Sequence, residues 1–174
     1  MILTQWIEYG KLSSVPNGPT LVLTKRFELI QHFCSREYYT EACGIYLDIK
    51  TADRKQIVTR LDKVKRTDHL KELAKTLYSK PVPDTKDGKK HESEAFTLAV
   101  TVGDHYAQEE TLNLSNAECF YSMAFGWDNH SEELYSKFFK ILGKQGKTFQ
   151  AIRATVILVI QTWKEKGVKA DPAL

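Results

Sequence analysis

Residues 94–143 read EAFTLAVTVGDHYAQEETLNLSNAECFYSMAFGWDNHSEELYSKFFKILG. Apolar residues alternate with small or polar ones over residues 96–102, and this period of two predicts a strand with one buried face. Gly103 and Asp104 are expected to end that strand. The segment therefore predicts a strand followed by helices, and the rest of the chain is interpreted outward from it.

Two capped helices are predicted after this strand. Ser115 followed by Glu118 is a capping box, so a helix is expected to start near residue 116 and to stop at Gly126. Ser131 is a second N-cap candidate, and the helix after it is expected to end at Gly143. The apolar stripe of the second helix comprises Leu134, Phe138, Ile141 and Leu142.

The flanking segments add further strands and helices. Strands are predicted at residues 2–9, 43–49 and 156–160, with a buried helix as the alternative for the last. Residues 20–33 fit either a strand or a helix. Residues 27–33 alternate as a strand does, and we favour a strand. The alternative is a helix, which fits the spacing of Leu23, Phe27, Ile30 and Cys34. Helices are predicted at residues 52–64 and from residue 67 or 68 onward. The sequence thus predicts an α+β fold in one globular domain over residues 1–174, with a mobile polar loop at about 79–93 and a frayed tail from about 165.

Charge is segregated along the chain of 174 residues, whose net charge is +3. Residues 1–49 carry a net charge of −1, residues 50–91 carry +7, residues 92–133 carry −9 and residues 134–174 carry +6. Blocks of opposite sign suit contact with an anionic surface, self-association, or both. The alternative is that the blocks intermix in the folded protein and cancel.

No catalytic, metal or targeting motif is evident. His32, Cys34 and Cys43 offer three soft ligands for zinc, but their spacing favours buried, reduced cysteines. Asp104, His105 and Glu109 are candidates for an acid–base cluster. Polar residues directly after a strand, however, more often belong to a solvent-exposed turn. The longest apolar run, residues 154–160, is too short to span a bilayer, and the segment after Met1 predicts no signal peptide. No cofactor and no enzymatic activity are predicted.

Two groups of residues are candidates for interaction surfaces. Flexible lysines attract the phosphates of lipids or nucleic acids without reading sequence. The candidates for membrane or ribonucleoprotein contact are Lys63, Lys65, Arg66, Lys86, Lys89, Lys90, Lys144 and Lys147. The candidates for self-association are acidic or aromatic residues within or near predicted turns: Glu109, Glu110, Phe125, Trp127 and Asp128.

The order of elements in residues 94–143 resembles that of rhabdovirus matrix proteins, particularly the short members from plant-infecting viruses. The shared features are an FTLAVTV strand, a helix followed by a Trp127-Asp128 pair, and the sequence LYSKFFKILG at residues 134–143. The resemblance implies a twisted antiparallel β-sheet packed against two to four α-helices. It also implies a structural protein of the virion and of the host cytoplasm that lies at the inner membrane face.

The resulting hypothesis is a non-enzymatic, matrix-like protein that forms homo-oligomers and links viral ribonucleoprotein to an anionic membrane surface. The alternative is an RNA- or DNA-binding accessory protein that uses the basic region of residues 50–91. The sequence leaves open whether lipid or nucleic acid is the main anionic partner, and it leaves the geometry of any oligomer undetermined.

Overall fold

The computed structural model describes residues 18–82, 85, 88–127 and 131–165. These residues form eight α-helices and a single 3-10 turn at Glu109–Thr111, and they contain no β-strand. The helices are α1 (Gly18–Cys34), α2 (Tyr39–Leu47), α3 (Thr51–Lys63), α4 (Thr67–Ser79), α5 (Glu92–Ala107), α6 (Leu114–Trp127), α7 (Glu132–Lys144) and α8 (Thr148–Glu165). The predicted α+β class, with its twisted antiparallel sheet, is therefore wrong.

The chain divides into two compact units, Met1–Glu92 and Ser93–Leu174. In the first unit, α1 packs on α2 and α3, and α4 packs on α2 and α3. In the second unit, α7 packs on both α6 and α8. The expectation of one globular domain with a mobile loop at 79–93 and a frayed tail stays a prediction.

The predicted strand at residues 96–102 lies inside α5, because the buried positions follow the helical period. Ala95, Leu98, Ala99, Val102 and Tyr106 are buried and follow the i, i+3, i+4, i+7, i+11 pattern of one helical face. The alternation of apolar residues that predicted a strand is present in the sequence, but Phe96 and Val100 are only half-buried. Two small residues, Ala95 and Ala99, complete the helical stripe, and a prediction based only on large apolar residues overlooks them.

The other predicted strands within the described residues are helical for the same reason. Residues 43–47 belong to α2, and the helical alternative for residues 20–33 is confirmed by α1. Residues 156–160 lie in α8, so the predicted strand is wrong there too, and that helix is exposed on one side rather than fully buried. The strand predicted at residues 2–9 lies outside the described residues.

Helices α3, α4 and α7 confirm the helical predictions, including one cap. The Ser131 side chain accepts a hydrogen bond of 3.2 Å from the backbone N–H of Leu134, as an N-cap does. The cap of α6 is instead Asn113, whose side-chain oxygen accepts a hydrogen bond of 3.0 Å from the N–H of Asn116. Ser115 lies within the first turn of α6, so the predicted capping box is wrong.

Neither predicted glycine stop ends its helix. Gly126 is inside α6 and Gly143 is inside α7. The chain reverses after α7 at Gly146, which has a φ of 69°. There the Lys147 N–H donates to the Leu142 carbonyl at 2.9 Å, which is the longer bond of a Schellman motif.

A buried arginine joins two helices of the first unit. Arg54 on α3 donates hydrogen bonds to the backbone carbonyls of Leu47 and Ile49, at 3.0 and 2.9 Å, and its guanidinium lies 5.1 Å from the centre of the Tyr46 ring. The carbonyls at the end of α2 would otherwise lack an intrahelical partner. Arg54 therefore caps α2 and fixes the start of α3 against it.

Gly103 provides a test of the packing of α5. A Cβ at residue 103 would lie 2.5 Å from Cε1 of Tyr121, whose ring is buried. Gly103→Ala is therefore expected to lower the free energy of unfolding by about 1–3 kcal/mol, although alanine favours a helix by about 1 kcal/mol over glycine. Urea unfolding followed by circular dichroism measures the change.

Gly126→Ala is the matched control for this substitution. Gly126 is also helical, and a Cβ there would meet no atom within 4 Å. This variant is expected to be as stable as the parent or more stable by up to about 1 kcal/mol. If both variants gain stability, the close contact between Gly103 and Tyr121 is wrong.

Candidate interaction surfaces

The first candidate site, named here the α3 basic surface, consists of Lys55, Arg60, Lys63, Lys65 and Arg66. Lys55 and Lys63 are eight residues apart on one side of α3, where they line an open hollow of about 390 Å³ together with Arg60. Lys65 and Arg66 follow in the turn between α3 and α4 and are exposed. Lys63, Lys65 and Arg66 were predicted from the sequence, whereas Lys55 and Arg60 were not.

The cations of the α3 basic surface differ in how they are held. Arg60 donates a hydrogen bond of 3.1 Å to the hydroxyl of Thr24, and its guanidinium lies 5.7 Å from the centre of the Phe27 ring. In the described part of the chain, the side chains of Lys55, Lys63, Lys65 and Arg66 have no ion-pair partner. Four positive charges are thus exposed next to one that is anchored.

The turn that presents Lys65 has an unusual backbone. Lys65 has a φ of 56°, a left-handed conformation in which glycine is the usual residue. Two hydrogen bonds hold the turn: the Lys65 N–H donates to the Asp62 carbonyl at 2.7 Å, and the Arg66 N–H donates to the Leu61 carbonyl at 2.9 Å. The backbone that carries the Lys65 side chain is therefore fixed by hydrogen bonds.

The predicted lysines of the second unit are less available. Lys147 pairs with Glu118 on α6, so its charge is already offset. Lys144 is exposed and lines an open hollow of about 340 Å³ with Lys137 and Lys140. Beyond these, Lys89 and Lys90 are exposed in the segment before α5, and Lys86 lies outside the described residues.

The hollow beside Lys144 also contains a structural hydrogen-bond cluster. The Tyr121 hydroxyl donates to Asp104 at 2.7 Å, and Lys137 donates to the same carboxylate at 3.0 Å and pairs with Glu133 at 2.8 Å. Burial raises the pKa of Tyr121, and the hydrogen bond to Asp104 raises it further. Partial burial alone would lower the pKa of Lys137, but its bonds to Glu133 and Asp104 outweigh that effect and hold the pKa above its usual range. Tyr121 and Lys137 thus keep their protons near neutral pH.

The residues predicted for self-association do not form one surface. Glu109 and Glu110 are exposed on the 3-10 turn. Phe125 is buried, with its ring centre 5.7 Å from that of Phe138, so it is not available to a partner. Trp127 is half-buried, and Asp128 lies outside the described residues.

A second candidate site, named here the α8 stripe, was missed by the sequence analysis. Its members are the exposed apolar side chains of one helix: Phe149, Ile152, Val156, Val159, Ile160 and Trp163. Five of them recur at alternating intervals of three and four residues, which is the spacing of a helical contact seam. The β-branched residues at 156–160 favoured the prediction of a strand, so the helical spacing of the stripe was overlooked.

The acid–base and zinc candidates do not assemble. Asp104 is engaged with Tyr121 and Lys137, whereas the adjacent His105 is buried and contacts the Tyr106 ring. Glu109 is exposed on the following turn. Among the described residues, no group of three or more histidine, cysteine or carboxylate side chains is arranged to hold a metal ion.

Two further observations concern membranes and relatives. In the described part of the chain, no helix is both long enough and apolar enough to cross a bilayer. Comparison with protein-family models, with curated proteins and with solved structures yields no match to this chain.

The three cysteines provide a test of the packing in both units. Burial raises the pKa of the Cys34 thiol to about 12 and raises that of Cys43 further, whereas Cys119 is only half-buried. Because the thiolate is the reactive form, we expect one thiol, Cys119, to react with a disulfide reagent in the native protein at pH 8. Thiol titration before and after addition of guanidinium measures this, and Cys119→Ser should abolish the native reaction. Native modification of Cys34 or Cys43 at a similar rate would contradict the packing around them.

Proposed function

We propose that the protein is a non-enzymatic assembly protein that binds a phosphate-bearing partner and associates with copies of itself. Its partner is a ribonucleoprotein, which it links to the anionic inner face of a membrane as a viral matrix protein does. The observation that carries the proposal is the α3 basic surface, where four exposed cations lack an ion-pair partner among the described residues.

The chemistry of the surface suits phosphates rather than a small substrate. Exposed lysines and arginines bind phosphate oxygens and release counterions, and they need no enclosed pocket to do so. The hollow along α3 is open, and apart from Ala52 its lining consists of polar side chains. Its side chains include no carboxylate or histidine that could act as a general acid or base.

This surface supports the proposal better than the resemblance to rhabdovirus matrix proteins does. Residues 96–102 form a strand in that resemblance, but they belong to α5 here. The matrix-like role therefore depends on the surface and on self-association, which are both open to experiment.

A nucleic-acid-binding accessory protein is the second candidate, because the α3 basic surface lies wholly within residues 50–91. The two candidates differ in their other partners. Sedimentation with RNA and with phosphatidylserine vesicles across a salt series separates them: the assembly protein binds both and self-associates, whereas the accessory protein binds RNA alone. A protein that sediments with neither at low salt has neither function.

Lys65→Gly tests the surface without a loss of stability. Glycine relieves the left-handed backbone, so the free energy of unfolding should rise by up to about 1 kcal/mol. The loss of one phosphate contact should weaken RNA binding about 3- to 10-fold at 0.1 M salt and lower the magnitude of the slope of log affinity against log salt by about 0.7. Fluorescence anisotropy with a labelled single-stranded RNA measures both.

Glu37→Gly is the matched control for this variant. Glu37 has a φ of 63° in the turn between α1 and α2, so glycine should stabilise it equally. Because this change removes a negative charge, RNA binding should stay the same or tighten slightly. Equal weakening in both variants, or no weakening in Lys65→Gly, would remove the α3 basic surface from the proposal.

A further inference from the structure

The α8 stripe is apolar and yet faces solvent along one side of a whole helix, whereas the other exposed large apolar side chains in the described part of the second unit, Leu112 and Phe139, are isolated in sequence. Phe149 is 77% exposed and Trp163 is 54% exposed, at opposite ends of the stripe. Ile152, Val156, Val159 and Ile160 lie between them with exposed fractions of 38–56%. A contiguous apolar patch of this kind on a soluble helix indicates a contact with another molecule.

The opposite side of α8 is already used within the second unit. Ala151 and Ala154 are buried where α8 packs on α7, and the hydroxyls of Tyr135 and Thr155 share a hydrogen bond of 2.7 Å. Small side chains on this side allow α7 to approach closely. The six side chains of the α8 stripe are directed away from this side, whereas Ile157 and Leu158 are half-buried and lie outside the stripe.

The size of the stripe is sufficient for a specific contact. A fully exposed aromatic side chain presents about 150–250 Å², so Phe149 and Trp163 together present about 250 Å². With the four aliphatic side chains the stripe presents on the order of 500 Å², and two such stripes would bury about 1,000 Å², the lower limit for a specific interface. A second copy of the same stripe would therefore provide a match in both size and chemistry.

We infer that the α8 stripe pairs with the α8 stripe of a second copy of the chain, and that the two helices run antiparallel. The helix dipoles decide the direction, because antiparallel helices place the positive end of each dipole beside the negative end of the other. Arg153 and Lys164 border the stripe on one side, and no acidic residue precedes residue 165 in α8.

The antiparallel register follows from the positions of the large side chains. With the two-fold axis at Val156, Phe149 meets Trp163 of the second copy, Ile152 meets Ile160, and Val156 meets itself. At 1.5 Å per residue, Arg153 of one copy is then separated by about 7.5 Å along the axis from Lys164 of the other and by about 9 Å from the other Arg153, close to one Debye length at physiological salt. The two Lys164 positions are separated by about 24 Å.

This inference rests on the self-association in the proposed function and names the surface that performs it. Dimerisation through the α8 stripe and pairing of the acidic and basic sequence blocks differ in their response to salt. Pairing of opposite charges weakens as salt is added, whereas burial of apolar surface between two chains of net charge +3 persists or strengthens.

Sedimentation velocity of the full chain over a range of concentrations and salts tests the inference. The protein is expected to form a weak, reversible dimer, and to do so at high salt as well as at low salt. Val156→Glu should weaken the dimer by at least about tenfold, because two carboxylates would be buried against each other. The control Gln150→Glu, which adds the same charge outside the stripe, should leave the dimer intact.

Disulfide trapping tests the register in a Cys119→Ser background, where Cys34 and Cys43 are buried. Val156→Cys should form a covalent dimer on oxidation, since it faces itself. Phe149→Cys and Trp163→Cys should not form one alone but should do so when the two variants are mixed. A covalent dimer of Phe149→Cys by itself would overturn the antiparallel arrangement.

The outcomes separate this inference from the proposed function. If the parent chain stays monomeric at all salts, both the inference and the self-association of the proposed function are wrong. If the parent dimerises and Val156→Glu dimerises equally well, only the α8 pairing is wrong. Circular dichroism and RNA binding of Val156→Glu should match those of the parent. If either is lost, the disulfide trapping decides, and failure of Val156→Cys to form a covalent dimer would then overturn the α8 pairing.

Discussion

The second unit depends on the close contact between α5 and the ring of Tyr121. Gly103 leaves no side chain at this point, so the ring lies directly on the backbone of α5. Its hydroxyl can then donate to Asp104, and Asp104 in turn holds Lys137 on α7. Helix α8 is attached to α7 through the hydroxyls of Tyr135 and Thr155. The absence of a side chain at residue 103 thus allows the contact between α5 and α6 from which the bonds to α7 follow.

In the first unit, the buried side chain of Arg54 fixes how α2 and α3 meet. Arg54 bonds the carbonyls at the end of α2, which fixes the direction in which α3 begins. Of the other cations, Arg60 contacts α1, whereas Lys55 and Lys63 are exposed on α3 and Lys65 and Arg66 are exposed in the turn after it. The left-handed backbone at Lys65 also exposes a cation, because the turn after α3 directs this lysine outward at a position where glycine would be less strained. The α3 basic surface is a product of how the two helices are joined.

The two candidate surfaces have different physical chemistry and lie in different units. The α3 basic surface suits phosphates and responds to salt, whereas the α8 stripe suits an apolar partner and is largely indifferent to salt. An assembly protein needs both kinds of contact, one for its cargo and one for copies of itself. The acid–base candidates contribute to neither, since Asp104 is committed to a structural role and His105 is buried.

The sequence by itself determined the helices with large apolar residues on one face, such as α4 and α7, the cap at Ser131 and the basic character of residues 50–91. It misassigned α5 and α8, because alternating or β-branched residues are compatible with either period when the small residues that complete a helical stripe are overlooked. Tertiary structure decided which side chains are available: it buried Phe125 against Phe138, paired Lys147 with Glu118 and left the α8 stripe exposed. Exposure depends on which helices pack together, and that depends on contacts between residues distant in sequence, such as Gly103 with Tyr121, which no local pattern contains.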